Sequence, residues 1–201
     1  MNMQNMDLRK AINALKTGKI IVYPTDTLYA LGADVFNADA VTRIFKVKQR
    51  PTSEALPVAV SSLEMIEDIT VVDEVSRIVI QHLLPGPLTI VLKRRSGKLD
   101  NVSGGLDTLA IRIPKNQVAL ELLSQVGPLT VTSANIHAQQ PPRDILGIKQ
   151  QLRNEKIAVY LDVGTLEGKP STIVDCRSGK PRVLRKGVIT EKDIQDAITN
   201  G

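Results

Sequence analysis

Leu8, Ile12 and Leu15, with Ala11 and Ala14, recur at the spacing that lines one helical face. Asp7 can cap the start and Gly18 can supply a left-handed stop, so 7–17 reads as an amphipathic helix. Ile20-Ile21-Val22-Tyr23 follows at once, short, apolar and β-branched, the pattern of a strand buried on both faces, and it ends at Pro24. The alternation continues with a helix over 38–47, a strand at Leu56–Val60, helices over 62–67 and 73–83, and a strand at Leu88–Leu92 behind the breaker Pro85-Gly86-Pro87. Further strands are expected at Leu109–Ile113, Leu129–Thr132, Ile157–Leu161, Thr172–Val174 and Val183–Leu184, and further helices over 116–125, 144–152 and 190–198. This order predicts a mixed α/β (α+β) fold, one domain over 1–201, with a twisted open mixed sheet covered by helices. Segments 94–106 and 134–143 are rich in Gly, Ser, Asn, Pro and Gln, so they are expected as surface loops and candidate lids.

Composition narrows the setting. The 201 residues, 42% apolar, suffice for a packed core without staples, and 26 Lys+Arg against 21 Asp+Glu leave a net charge of +5. That balance excludes disorder, and no apolar run approaches the roughly 18 residues of a spanning helix. A lone Cys176 and an N-terminus without an apolar leader point to a reducing, cytoplasmic setting and no membrane. Two Phe, three Tyr and no Trp are too few rings for base-stacking readout of single strands.

Three constellations bear chemistry. Pro24–Gly32 (PTDTLYALG) stands at the carboxyl end of a buried strand, where ligands of open α/β sheets gather; its Thr25 and Asp26 equally suit an ordinary capped turn. Lys46-Val47-Lys48-Gln49-Arg50-Pro51 ends a helix, as a solvated basic terminus or as a clamp in which Lys48 and Arg50 face one anion. SGGLDTLAIR (103–112) and TVTSAN (130–135) each set hydroxyls, glycine amides or an arginine beside an apolar strand. Arg112 alternates with Ile111 and Ile113, so it points off the opposite face and needs a partner there. Gly168-Lys169-Pro170-Ser171 is not a P-loop, because Pro170 stands where Ser or Thr is required and Gly164 is misplaced. His82 and His137 have no ligand-spaced companions for zinc, and Ser133 has no nucleophile elbow.

PTDTLYALG, KVKQRP, PGPLTIVL, SGGLDTLAIRIP, PLTVTSAN, STIVDC and VLRKG follow one another from residue 24 to 187. Together they resemble the YrdC-like family of threonylcarbamoyl-AMP synthases. The resemblance implies a YrdC/DHBP synthase-like fold with a large basic cavity, in a short form without the second domain of longer members. It implies condensation of L-threonine, bicarbonate and ATP to threonylcarbamoyl-AMP and pyrophosphate, with Mg2+ accompanying ATP, on the way to a modified tRNA base made by a downstream transfer complex.

By motif, the resemblance places Thr25, Arg112, the Val131 backbone and Ser171 at threonine. It places Lys48, the backbone near Thr52, Thr108, Ser133, Asn135, Pro141 and Arg185 at the nucleotide, and gives Lys48 and Arg50 the catalytic charge. Two positions depart from the family pattern: Ser61 stands where a histidine near threonine is usual, and Ala30 replaces a glycine. A reaction among anions needs positioning and charge neutralisation more than a covalent nucleophile, which suits Lys48, Arg50, Arg112 and Arg185. A competing reading is a module that holds tRNA or double-stranded RNA by phosphate charge and shape without chemistry. A third, carbamoyl transfer of the hydrogenase-maturation type, would need further segments.

Overall fold

The computed structural model describes residues 3–97, 99–153 and 155–201. In chain order the described elements are α1 (Met3–Lys16), β1 (Ile21–Tyr23), β2 (Ala30–Gly32), α2 (Ala38–Lys48), β3 (Val58–Ala59), α3 (Leu63–Ile69), β4 (Thr70–Val71), α4 (Glu74–Leu83), β5 (Leu88–Arg94) and α5 (Asp100–Ser103). There follow β6 (Thr108–Arg112), α6 (Gln117–Val126), β7 (Leu129–Thr130), β8 (Thr132–Ser133), α7 (Ile145–Gln151), β9 (Val159–Tyr160), β10 (Thr172–Asp175), β11 (Arg182–Arg185) and α8 (Glu191–Asn200). Helix starts follow local chemistry: the Asn37, Ser62, Asp73, Asn116, Asp144 and Thr190 side chains each accept an amide of the first turn. None of the described helices is long and apolar enough to cross a membrane.

The strands divide between a four-stranded sheet, ordered β8-β2-β1-β9, and a seven-stranded one, ordered β11-β10-β5-β6-β3-β7 with β4 on β5. Both are mixed: β1 runs parallel to β9 and antiparallel to β2, while β5 runs parallel to β10 and antiparallel to β6. The expected strand 129–132 is in fact broken at Val131. Thr130 pairs with Val58 through its backbone, but its hydroxyl donates to Leu31 O at 2.9 Å and accepts the Ala33 amide at 3.0 Å. That side chain ties the two sheets together, and the chain steps from one to the other at the next residue.

Each face of the small sheet meets a different apolar cluster. Ile21, Tyr23 and Ala30 face α1 and α6, while Val22, Tyr29 and Leu31 join the larger core that also takes Ile44, Val58, Ile90 and Ile111. Strand β2 is hidden in what the sequence presents as a functional turn. Its three residues are buried on both sides, so no polar alternation marks it. Within 94–106, expected as a surface loop and candidate lid, residues 100–103 form α5, and Leu99, Val102 and Ser103 are buried. Gly104, at φ +61°, lies so close to Ser53 and Ala55 that a Cβ would sit 2.6 Å from Ser53 O.

Candidate active site

In the seven-stranded sheet Leu88, Ile90, Leu92, Leu109 and Ile111 turn into the core, so period-2 alternation sends Thr89, Ala110 and Arg112 to the other face. Register brings Ile173 beside Thr89 on one side and Arg185 on the other. These five residues floor a cavity of about 380 Å3, within the roughly 300–1,000 Å3 usual for small-molecule sites. Its walls are the 25–30 turn, Val131–Ser133, and the rim residues Arg50, Ala55, Pro57, Pro141, Pro170 and Ser171. Three lining residues are arginines and none is acidic.

The turn is built by its own hydroxyls. Thr25 Oγ1 bonds Leu28 O at 2.7 Å, accepts the Thr27 and Leu28 amides, and lies 3.0 Å from Thr27 Oγ1. The sequence presents Thr25 as a ligand or a turn former; it lines the cavity and also shapes the turn. Gly168 presses against this turn, since a Cβ there would lie 2.3 Å from Thr27 O. Tyr29 anchors the strap that brings it, accepting the Val163 amide at 2.9 Å and donating to Gly164 O at 2.7 Å.

Arg112 already has a protein partner. Its Nη2 donates to Asp26 Oδ1 at 2.7 Å and its Nη1 to Thr27 Oγ1 at 3.0 Å, with the guanidinium all but buried. Burial lowers the Arg112 pKa, Asp26 opposes the shift, and the nearby Arg185 charge adds to it. Arg185 gives Nη2 to Ser171 O at 2.8 Å and to Ser171 Oγ at 3.2 Å, and Thr89 Oγ1 meets the same hydroxyl at 2.9 Å. Burial lowers its pKa too, and it has no carboxylate partner among the described residues. Arg50 is held at the rim by Ala55 O at 2.9 Å and Glu54 Oε2 at 3.2 Å, leaving Nε without a partner among the described residues.

The cavity therefore collects Thr25, Arg50, Arg112, Val131, Ser133, Pro141, Ser171 and Arg185, and leaves five expected residues outside its lining. Lys48 and Arg50 do not point together at one anion. Gln49, in the left-handed region at φ 52°, ends α2 between them. Lys48 Nζ turns under the 133–135 loop, donating to Ser133 O at 2.6 Å, Asn135 O at 2.9 Å and Asn135 Oδ1 at 3.2 Å. Burial, with Arg50 adding to it, lowers its pKa to about 7.

Asn135 is buried behind Ser133, bracing the loop through Ile136 O and Gln139 O. Thr52 is exposed off the rim. Ser61 donates to Met65 Sδ at 3.3 Å and does not reach the cavity. Thr108 shares Arg112's face but lies four residues away, about 13 Å along the strand. Gly104 and Gly105, candidate phosphate amides in the sequence, lie off the lining as well.

Thr27, Tyr29 and Thr89 also line the cavity, though the motifs that contain them do not single them out. Thr89 had a usable signal, a hydroxyl inside an otherwise apolar strand. No group of three His, Cys, Asp or Glu residues among the described ones can hold a metal, and the lining has no acid.

Residues 13–187 match the Sua5/YciO/YrdC family, described as telomere recombination. The chain is 32% identical to the Pyrococcus abyssi protein named threonylcarbamoyl-AMP synthase over 95% of this chain and 57% of that one. It is 31% identical to the Vibrio parahaemolyticus protein of the same name over 90% of this chain and 99% of that one. In structure it superposes on P. abyssi Sua5 complexed with L-threonine with a TM-score of 0.91 at 30% identity, covering 98% of this chain and 59% of that chain. The chain thus spans little more than half of the Pyrococcus protein and nearly all of the Vibrio one. By the extent of these matches, the chain belongs to the Sua5/YciO/YrdC family.

Proposed function

We propose that the cavity condenses L-threonine, bicarbonate and ATP to threonylcarbamoyl-AMP and pyrophosphate; its relatives are named for synthesis of threonylcarbamoyl-AMP. The supporting observation is that Arg50, Arg112 and Arg185 converge on one acid-free cavity sized for small ligands, with Arg185 uncompensated by any described carboxylate. Threonine's amine bonds to the carbon of bicarbonate, water leaves, and a carbamate results. A carbamate oxygen then attacks the α-phosphorus of ATP, and the bond to the β-phosphate oxygen breaks to release pyrophosphate. Every reacting species is anionic or becomes so, and guanidinium groups held in place around one cavity stabilise such charge without a covalent nucleophile. Mg2+, carried by ATP, neutralises part of the phosphate charge.

In this reading Arg112 takes the threonine carboxylate, with Thr25, the Val131 backbone and Ser171 around the amino acid. Arg185, Ser133 and Pro141 border the nucleotide, and Arg50 faces the transferring charge. Lys48 and Asn135 act by holding the Ser133 loop. The product is consumed in the cytoplasm by proteins that modify tRNA. Arg50→Ala is expected to abolish pyrophosphate release that depends on threonine and bicarbonate; near wild-type release overturns the assignment.

One observation favours a second reading. Exposed Arg177, Lys180 and Arg182 gather at the end of the seven-stranded sheet remote from the cavity, where Asp175 pairs with two of them, as part of an RNA-holding surface could. Tight tRNA binding without any threonine-dependent pyrophosphate release would establish that reading instead.

A further inference from the structure

The two arginines on the cavity floor are compensated unequally. Arg112 has Asp26 behind it: Oδ1 accepts Nη2 at 2.7 Å and the Lys115 amide at 3.1 Å, and Oδ2 is buried with no partner among the described residues. The Asp26 side chain is 11% exposed and that of Arg112 6%, so the pair is mostly withdrawn from water, and Asp26 itself does not line the cavity. Arg185, close enough for its charge to disfavour that of Arg112, is an exposed residue that among the described ones leans on the Ser171 carbonyl and hydroxyl. One end of the floor is therefore neutralised from behind and the other is left cationic.

We propose that Asp26 is a selectivity residue: by offsetting the charge of Arg112 it lets that subsite admit the carboxylate of a zwitterionic amino acid and turns phosphate and pyrophosphate away towards Arg185. This rests on the reading of the cavity as an amino-acid and nucleotide site. The physics is a matter of ligand charge. A unit charge about 7 Å from a bound anion, at an effective dielectric near 20 and with some salt screening, shifts its binding constant on the order of tenfold per unit of ligand charge. Pyrophosphate, with several negative charges, is penalised heavily. Zwitterionic threonine, with none in net, is penalised little.

Asp26→Asn keeps the size and the acceptor oxygen and removes the charge. Calorimetric titration of inorganic pyrophosphate into the full chain is expected to show at least about tenfold tighter binding in Asp26→Asn than in wild type. Pyrophosphate should then compete with L-threonine in the variant and scarcely at all in the wild type. Asp26→Glu, which retains the carboxylate, should stay within about twofold of wild type for pyrophosphate. A damaged site loses affinity for every anion, so a gain separates selectivity from mere support of the fold. Unchanged or weaker pyrophosphate binding in Asp26→Asn overturns the assignment. If Asp26→Asn does not fold, Asp26→Ser is read by the same criterion. Failure of the wild type to bind L-threonine overturns the underlying reading of the cavity, while the pyrophosphate comparison still decides whether Asp26 restrains anions.

Discussion

Replacing Lys48 by methionine separates two roles for a lysine at the end of α2. If its ammonium meets ATP directly, the variant loses nucleotide affinity and keeps its stability. If it braces the 133–135 loop, stability falls first. Its Nζ serves Ser133 O, Asn135 O and Asn135 Oδ1. Ser133 O keeps the Asn135 amide and Asn135 Oδ1 keeps the Ser133 hydroxyl after the change, so the Asn135 carbonyl is the acceptor most exposed to loss. An unpaired buried acceptor costs about 1–3 kcal/mol, and methionine fills most of the vacated volume, so a loss of about 2 kcal/mol is expected at pH 9.

The pH is chosen because the folded lysine titrates near 7, against 10.5 ordinarily, through burial and the Arg50 charge. Between those values the unfolded chain holds a proton that the folded chain lacks. Wild-type stability therefore rises with pH across that window, by up to about 1.4 kcal/mol per unit, and the contribution is absent below it. Lys48→Met removes this slope, so its deficit should disappear or reverse by pH 7. Urea unfolding at several pH values, beside calorimetry with ATP, reads both quantities. Wild-type stability with abolished ATP binding would refute the bracing role.

Gly168→Ala should lower stability by about 1–3 kcal/mol in thermal unfolding and weaken threonine binding, because the new methyl meets Thr27 backbone on the cavity turn. Cys176, its thiol pushed up to about 12 by burial with Asp73 and Asp175 adding to it, should resist iodoacetamide at pH 8 in the native chain and react on unfolding. Ser61→Ala should leave the KM for threonine within about twofold of wild type, since its hydroxyl faces Met65 rather than the cavity. A larger change in steady-state assays would bring residue 61 back to the ligand.

Most of the helices and long strands were legible because one face of each is apolar. The alternation Ile111-Arg112-Ile113 likewise placed Arg112 on the cavity face. Strand β2 was not legible, because three residues buried on both sides show no alternation. The break at Val131 was hidden as well, since it depends on the Thr130 hydroxyl bonding a strand far away in sequence.

The motif resemblance named three arginines, Arg50, Arg112 and Arg185, that the fold brings to one cavity, but spacing could not say which way Lys48 turns. That is decided by the left-handed residue Gln49 and by carbonyls 85 and 87 residues away. Asp26 shows the same limit: the sequence offers it as a cap, and only the folded sheet sets it behind Arg112.

The most direct measurement is mass spectrometry of the nucleotides formed when the purified chain meets ATP, L-threonine and 13C-bicarbonate with Mg2+. The expected result is a threonylcarbamoyl-adenylate carrying the label, formed with equimolar pyrophosphate and lost when threonine is omitted. Unlabelled or threonine-independent adenylate products, or ATP left intact, would contradict the proposed reaction.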